Sequence, residues 1–165
     1  MSGIAGICYT YGRPGDQSVL RRLLDAQSHR GPDGRQIRRE TSVGLGHLAL
    51  YTTPEAVHEA QPRVGRDERL LLTADARIDN RDELISALGR RRDDRPATDA
   101  ELILRAYRRW GDASPEHLRG AFAFAVWDAS KDRLFCARDR MGLRPFHYCW
   151  SAPRFVFGSD INAVL

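Results

Sequence analysis

The sequence predicts an α+β domain in which mostly antiparallel strands are covered by helices. Three observations favour this class: a buried strand pattern at the start, amphipathic helices in the middle, and two apolar hairpins near the end. At 165 residues the chain has the size of one domain that buries a core without metal or disulfide support. No apolar run approaches the ~18 residues of a membrane-spanning helix, and no secretory signal precedes the first strand. We therefore expect a single cytoplasmic domain over residues 1–165.

The first half of the chain alternates strands and helices. A small and β-branched opening segment predicts a buried strand, and Gly12 and Pro14 place a turn after it. Asp16 or Ser18 is suited to cap the first helix. We expect strands at 3–9, 43–50 and 69–74, helices at 18–28 and 81–88, a shaped loop at 29–34 and an irregular segment at 55–67.

The second half begins with a helix and continues in hairpins. Thr98 followed by Glu101 forms a capping box, so a helix is predicted from there to Trp110, after a charged, solvated loop at 89–96. The apolar runs that follow are separated by turn residues, which is typical of hairpins. We expect paired strands at 121–127 with 133–137 and at 146–150 with 155–157, and a last helical turn before residue 165.

Charge and cysteine content exclude several classes of function. The net charge of +4 is carried by arginine, with Lys131 the only lysine, and the densest basic run, 90–92, is followed at once by Asp93 and Asp94. Aromatic residues do not interleave with the basic ones, so a nucleic-acid groove is not predicted. Three cysteines stand far apart in apolar sequence and are interpreted as reduced residues rather than a disulfide framework or a metal site: Cys8, Cys136 and Cys149.

The N-terminus contains a candidate nucleophile. A small second residue permits removal of Met1, and a free Ser2 would then carry its own base, because an α-amine with a pKa near ~8 can accept the hydroxyl proton. Since serine is also a common second residue, this pattern alone does not establish catalysis.

Segments spread along the whole chain resemble the N-terminal class II glutamine amidotransferase domain of the asparagine synthetase family. They are MSGIAGI at 1–7, HRGPDG at 29–34, Gly46-His47, Gln61-Pro62, TDAELIL at 98–104, RGAFAFAVWD at 119–128, ARDRMGLRP at 137–145 and GSDINAVL at 158–165. The resemblance implies the four-layer αββα sandwich of N-terminal nucleophile hydrolases. Two further segments, 46–62 and 73–84, are similar to the homologues that close the macrolactam ring of lasso peptides.

The resemblance also implies a glutamine pocket, and this chain departs from it at most positions. Ser2 stands where the family has its cysteine nucleophile, and Ala49 where an arginine grips the substrate carboxylate. The family's Asn-Gly-Glu falls on Asp75-Ala76-Arg77, and Asp99 alone remains to hold the substrate ammonium. A carboxylate at position 75 repels a developing oxyanion instead of donating to it, and the loss of one such donor typically costs about 10²–10³ in rate. We expect Arg77 to pair with Asp99, Asp75 or both inside the former pocket, because an unpaired buried charge is costly.

Three functions follow from these departures. The first is a scaffold without glutaminase activity at the N-terminus of an ATP-dependent amide-forming enzyme. The second is an active N-terminal serine amidohydrolase that supplies ammonia, and the third is a docking module for a synthetase or a precursor peptide. No pyrophosphate loop of a synthetase is present in the chain, so ATP and Mg²⁺ are expected only in an attached or separate synthetase domain. Six residues are interpreted as loop-shaping: His29, Arg30, Gly31, Asp33, Arg138 and Asp139.

Overall fold

The computed structural model describes residues 1–12, 15–52, 56–65, 69–89 and 96–165. These residues form nine strands and four α-helices. The strands are β1 (Gly3–Tyr9), β2 (Gly34–Arg39), β3 (Val43–Ala49), β4 (Arg63–Val64), β5 (Leu70–Ile78), β6 (Gly120–Asp128), β7 (Arg133–Arg138), β8 (His147–Ser151) and β9 (Arg154–Gly158). The helices are α1 (Gln17–Asp25), α2 (Arg81–Leu88), α3 (Asp99–Trp110) and α4 (Ile161–Val164), with short 3₁₀ helices at Ser28–Arg30, Ala56–His58 and Gly111–His117.

Two antiparallel sheets stack face to face. The first has the order β2-β3-β1-β9-β8 and the second the order β4-β5-β6-β7. Apolar side chains from both inner faces meet between the sheets, among them Ile4, Leu45, Leu71 and Phe157. Helices α1 and α4 cover the outer face of the first sheet, and α2 and α3 belong to the layer outside the second. The predicted four-layer αββα sandwich is confirmed.

Capping residues set the starts of the two longest helices. The Asp16 carboxylate accepts from the backbone N–H of Ser18 at 2.8 Å and begins α1. The Thr98 hydroxyl and the Glu101 carboxylate exchange bonds with each other's backbone N–H groups, so the capping box predicted for α3 is present. Both helices bury one apolar stripe against a sheet.

The structure differs from the sequence-based expectation in three strands. Strand β4 lies inside the segment 55–67 that was expected to be irregular, because a strand of two residues is too short to give a sequence pattern. Strand β2 was not predicted, because its residues GRQIRR pair with β3 on one side only and leave their arginines exposed, so no apolar alternation marks it. Strand β5 continues to Ile78, beyond the predicted end at residue 74, because its backbone stays paired with β6 through Asp75 and Arg77. The predicted turn at Pro14, most of the loop at 89–96 and parts of the segment at 55–67 lie outside the described residues.

The fold brings distant segments to one end of the sandwich. The two residues before β1, the second half of β5 and the N-termini of α2 and α3 all border the same space. In the described residues, no helix combines the length and the apolar character that a membrane crossing requires.

Candidate functional site

A cavity of about 670 Å³ opens at this end of the sandwich. It is lined by Ser2, by Asp75, Ala76 and Arg77 of β5, and by Asp99 at the start of α3. The structure therefore brings together most of the residues that the resemblance assigns to a glutamine pocket. Ala49, at the end of β3, is 6% exposed and is not among the described residues that line the cavity.

Ser2 lies half-buried immediately before β1, and its hydroxyl is already engaged. Its Oγ accepts a hydrogen bond from the backbone N–H of Leu50 at 3.2 Å. A hydroxyl oxygen that accepts from a backbone donor is a poorer nucleophile than a free one, because the lone pair that would attack is partly committed. With Met1 present, the residue also has no α-amine of its own to act as a base.

Asp75 is a buried carboxyl group, only 4% exposed, in the wall of the cavity. Its Oδ1 lies 3.6 Å from Nη1 of Arg144, and its Oδ2 has no hydrogen-bond partner in the described part of the chain. Burial raises the pKa of Asp75, while Arg144, the N-terminal amine, Arg30 and the Ser2 backbone amide pull it down. The carboxyl group thus stands beside the Ser2 backbone, where the resemblance requires a neutral hydrogen-bond donor.

Asp99 is held by Arg81, a residue that the sequence did not single out. Nη1 of Arg81 donates to Oδ1 of Asp99 in a short contact, and Nη2 of Arg81 donates to the carbonyl oxygen of Ala97. Burial raises the pKa of Asp99 to about 6, with Arg81 lowering it and Glu59 raising it. The aspartate that would receive a substrate ammonium therefore already has a cationic partner from its own chain.

The expected pairing of Arg77 with Asp99 or Asp75 is wrong. The Arg77 side chain is 78% exposed, and its Nε lies 3.3 Å from Oδ1 of Asp79, which is itself 61% exposed. The residue lies at the mouth of the cavity instead of filling it. The positive charges beside Asp99 and Asp75 come instead from Arg81 and Arg144, respectively.

The loop at 29–34 supports the strands beside the cavity. Gly31 packs against the backbone of Leu48, since a Cβ at this glycine would lie 2.3 Å from the Leu48 carbonyl carbon. The Asp33 carboxylate accepts from the backbone N–H of Tyr51 at 2.8 Å. His29 and Arg30 face the Asp160 carboxylate at 3.5 and 3.9 Å. These contacts are with the loop's own surroundings, and Arg30 also lowers the pKa of Asp75 in the cavity wall.

A second set of contacts fixes the turn after β7. The Arg138 guanidinium donates to the carbonyl oxygens of Arg144 at 2.7 Å and Gly142 at 2.6 Å. The Asp139 carboxylate accepts from the backbone N–H groups of Leu143 and Arg144 at 2.9 and 3.1 Å. Burial raises the pKa of Asp139, but these backbone donors outweigh it and hold the pKa below its ordinary value. The turn in this way places the Arg144 side chain against Asp75.

The sequence analysis did not predict that Arg81 and Arg144 pair with the aspartates of the cavity. For Arg81, its position in the chain could have indicated such a partner. Arg81 is the first residue of α2, where the positive end of the helix dipole disfavours a cation unless a carboxylate compensates it. Arg144 carried no such signal, because its contact with Asp75 depends on how the turn after β7 folds back. Among the described residues, no group of three or more histidine, cysteine, aspartate or glutamate side chains is arranged to hold a metal ion.

The two stacked sheets and their outer helices form the αββα fold of the N-terminal nucleophile hydrolase type. The structure is similar to glutamine phosphoribosylpyrophosphate amidotransferase from B. subtilis, with a TM-score of 0.76 and 20% identity over 98% of this chain and 42% of that one. At this identity the likeness concerns the fold alone.

Sequence comparison identifies the family within this fold. Residues 1–165 match the family model described as glutamine amidotransferase domain, and the chain belongs to this family. It is 33% identical to asparagine synthetase [glutamine-hydrolyzing] 3 of Bacillus subtilis over 91% of this chain. It is also 30% identical to the putative asparagine synthetase [glutamine-hydrolyzing] 2 of Methanocaldococcus jannaschii over 100% of this chain. The chain spans 25% and 35% of the lengths of these two relatives.

Proposed function

We propose that this glutamine amidotransferase domain has lost glutaminase activity. In this proposal it serves as the non-catalytic N-terminal scaffold of an asparagine synthetase-like enzyme. The observation that carries the proposal is the ion pair between Arg81 and Asp99. Asp99 is the one residue retained for the substrate ammonium, and a guanidinium of the same chain already occupies it. A glutamine molecule would have to displace this contact and would find no arginine at position 49 to hold its carboxylate.

The reacting end of the cavity supports the same conclusion. The Ser2 hydroxyl accepts from Leu50, and Asp75 in its ionised form opposes the formation of a negative oxygen beside it. Removal of Met1 would not restore a base. The new α-amine of Ser2 would face the Asp75 carboxyl, and an adjacent carboxylate raises the pKa of an amine and keeps it protonated.

The scaffold role implies an amide-forming partner. The two relatives are named asparagine synthetases and are about three to four times as long as the matched region. We propose that residues 1–165 act as a single domain beside an ATP-dependent synthetase domain, in the same or a separate chain, which would hold ATP and Mg²⁺. The similarity of residues 46–62 and 73–84 to lasso-peptide cyclases favours macrolactam formation on a precursor peptide, in the cytoplasm, as the finer form of this proposal.

Ammonia release from glutamine tests the loss of activity. Purified protein is incubated with glutamine and the ammonia is measured by a coupled glutamate dehydrogenase assay, with Ser2→Ala as the blank and intact mass reporting whether Met1 is present. We expect the wild type to match the blank and Ser2→Cys to remain inactive, because the pocket lacks more than the thiol. A wild-type rate above that of Ser2→Ala would refute the proposal.

The burial of Asp75 supports a second candidate, an active N-terminal serine amidohydrolase. Because burial raises its pKa, Asp75 can exist as a neutral acid that donates a hydrogen bond to an oxyanion. The empty volume of the cavity is also compatible with a substrate. This candidate predicts activity that requires removal of Met1, disappears in Ser2→Ala and survives in Asp75→Asn, since an asparagine amide is a donor at every pH.

A further inference from the structure

The arginines that line the cavity are each paired with a carboxylate that also lines it. The pairs in the described lining are Arg81 with Asp99, Arg77 with Asp79, and Arg144 with Asp75. The other acidic side chain of this lining, Glu59, accepts from the backbone N–H of Ala100 at 2.9 Å. A charged ligand group inside the cavity would have to separate a pair and leave one partner without its counter-ion, which is costly where the pair is buried. The cavity therefore favours an uncharged ligand group.

The pair formed by Arg144 and Asp75 is the most buried of the three, and its contact is incomplete. The two side chains are 16% and 5% exposed, less than those of the other pairs. Nη1 of Arg144 lies 3.6 Å from Oδ1 of Asp75, which is too long for a hydrogen bond. In the part of the chain that the structure describes, Nε of Arg144 and Oδ2 of Asp75 also have no hydrogen-bond partner. The pair thus has unused donor and acceptor capacity in the wall of the cavity.

Both members of this pair are held in place by backbone contacts. The backbone N–H of Arg144 donates to the Asp139 carboxylate, and its carbonyl oxygen accepts from Arg138. Asp75 lies in β5, where it stands opposite Ala123 of β6. A donor and an acceptor that are already positioned bind a matching group with little further loss of conformational entropy.

A primary carboxamide matches the pair. Its carbonyl oxygen can accept from the Arg144 guanidinium while its N–H group donates to the Asp75 carboxylate. The oxygen and nitrogen of the amide are attached to one carbon, so they can reach a donor and an acceptor that lie 3.6 Å apart. A ligand carboxylate would meet Asp75 as a like charge, and a ligand ammonium would meet Arg144 in the same way. The cavity of about 670 Å³ has room for the rest of such a ligand.

We propose that the cavity binds the primary carboxamide of a ligand that has no free ammonium or carboxylate next to it. The carboxamide lies between Arg144 and Asp75. Free glutamine is disfavoured, because Arg81 already holds Asp99 and Ala49 offers no cation for the substrate carboxylate. The inference rests on the proposed function for the loss of these two contacts, and it concerns binding and not hydrolysis. A small uncharged amide and a glutamine side chain within a polypeptide share this chemistry.

Calorimetric titration of the purified protein at pH 8 tests the proposal. N-acetyl-glutamine N-methylamide carries the carboxamide without charged ends, and the corresponding glutamate and methionine derivatives keep the same backbone. We expect the glutamine derivative alone to bind, with a dissociation constant of about 1 mM or lower, and free glutamine to bind at least about tenfold more weakly. Butyramide and a glycine-rich peptide with one internal glutamine distinguish the two sources. Binding of butyramide as tight as that of the derivative indicates a small amide, and tighter binding of the peptide indicates a polypeptide.

A matched pair of variants locates the binding site. Arg144→Met removes the donor to the ligand carbonyl and keeps the apolar stem, so it is expected to weaken binding of the glutamine derivative by about tenfold or more. Arg119→Met makes the same charge change in an exposed ion pair outside the cavity and is expected to leave binding unchanged. Melting temperatures report whether both variants are folded. The ligand series on the wild type gives a result even if Arg144→Met does not fold.

The proposal is overturned if the wild type does not bind the glutamine derivative, or if it binds the glutamate or methionine derivative equally tightly. It is also overturned if folded Arg144→Met binds as the wild type does. Ammonia release from free glutamine would instead refute the proposed function. Failure of the glutamine derivative to bind refutes only the carboxamide site and leaves the proposed function standing.

Discussion

Replacement of Arg81 by alanine removes the cation that holds Asp99. The pair is partly buried, with 32% of the Arg81 side chain and 22% of the Asp99 side chain exposed. Removal of one partner from a fully buried pair costs about 3–5 kcal/mol, and exposed pairs contribute up to about 1 kcal/mol. We therefore expect Arg81→Ala to lower the free energy of unfolding by about 3 kcal/mol at pH 8. About 1 kcal/mol of this is the lost hydrogen bond to the carbonyl oxygen of Ala97.

The pH dependence separates the ionic part of this loss. The folded-state pKa of Asp99 is about 6, above the value of about 3.9 in an unfolded chain. The folded protein therefore binds the extra proton, and the stability due to neutral Asp99 is lost as the pH rises from about 4 through 6. Without Arg81 the pKa of Asp99 rises further, so in the variant this loss continues to higher pH. The difference between wild type and variant is expected to shrink to about 1 kcal/mol near pH 4, where Asp99 is neutral in both.

Urea denaturation of a double-mutant cycle measures this coupling. The cycle comprises wild type, Arg81→Ala, Asp99→Asn and the double variant, each at pH 4 and pH 8. A coupling energy of about 2 kcal/mol at pH 8 that vanishes at pH 4 is expected. A coupling energy below about 0.5 kcal/mol at pH 8, or one that does not change with pH, would show that the two side chains behave as a solvated surface pair. The ammonium site would then not be filled in the way that the proposed function requires.

Three further predictions concern single residues. Arg77→Ala is expected to change the free energy of unfolding by less than about 0.5 kcal/mol in urea denaturation, because the guanidinium is exposed. A loss above about 2 kcal/mol would contradict the placement of Arg77 at the cavity mouth. Gly6→Ala is expected to lower the free energy of unfolding by about 3 kcal/mol or more in urea denaturation, because the new Cβ would lie 2.1 Å from Cε1 of Phe157. Gly34→Ala is the control and is expected to be tolerated, because the atom nearest to its new Cβ lies 3.6 Å away. Burial lowers the pKa of His47 to about 4. Acidification from pH 6.5 towards 4 is therefore expected to lower the free energy of unfolding of the wild type by about 3 kcal/mol, a loss that His47→Gln does not show. An imidazole titration midpoint above about 6, measured by NMR, would refute this prediction.

The parts of the fold that the sequence predicts well are those with a local physical signal. The box formed by Thr98 and Glu101 depends on residues three positions apart, and α2 was predicted with the bounds that the structure gives it. Strand β2 had no such signal, because a strand paired on one side with exposed arginines reads as a polar loop. The length of β5 was underestimated for a related reason. The charged residues Asp75 and Arg77 suggest that the strand ends before them, but the backbone pairing with β6 continues to Ile78 and sets the end of the strand.

The candidate site was predictable where the resemblance assigns a residue and unpredictable where a new contact replaces an old one. Ser2, Asp75 and Asp99 line one cavity, as the resemblance implies. The contact between Arg144 and Asp75 joins residues far apart in sequence, so no local pattern announces it. The sequence does require that buried carboxylates find cations, but it does not say which of many arginines supplies them.

Strand geometry explains why Arg81 and not Arg77 serves Asp99. Alternate residues of a strand share a face, so Asp75 and Arg77 point to the same side of β5. Along that face Asp75 is buried and Arg77 is exposed, although the strand stays paired with β6 as far as Ile78. Arg81 instead begins α2, and Asp99 begins α3, so the two helix starts bring their side chains together. A cation at a helix start costs about 0.3–1 kcal/mol against the dipole, and the Asp99 carboxylate offsets this cost in the folded chain. Because this compensation is internal, any ligand that takes Asp99 leaves Arg81 uncompensated, which opposes the binding of a substrate ammonium.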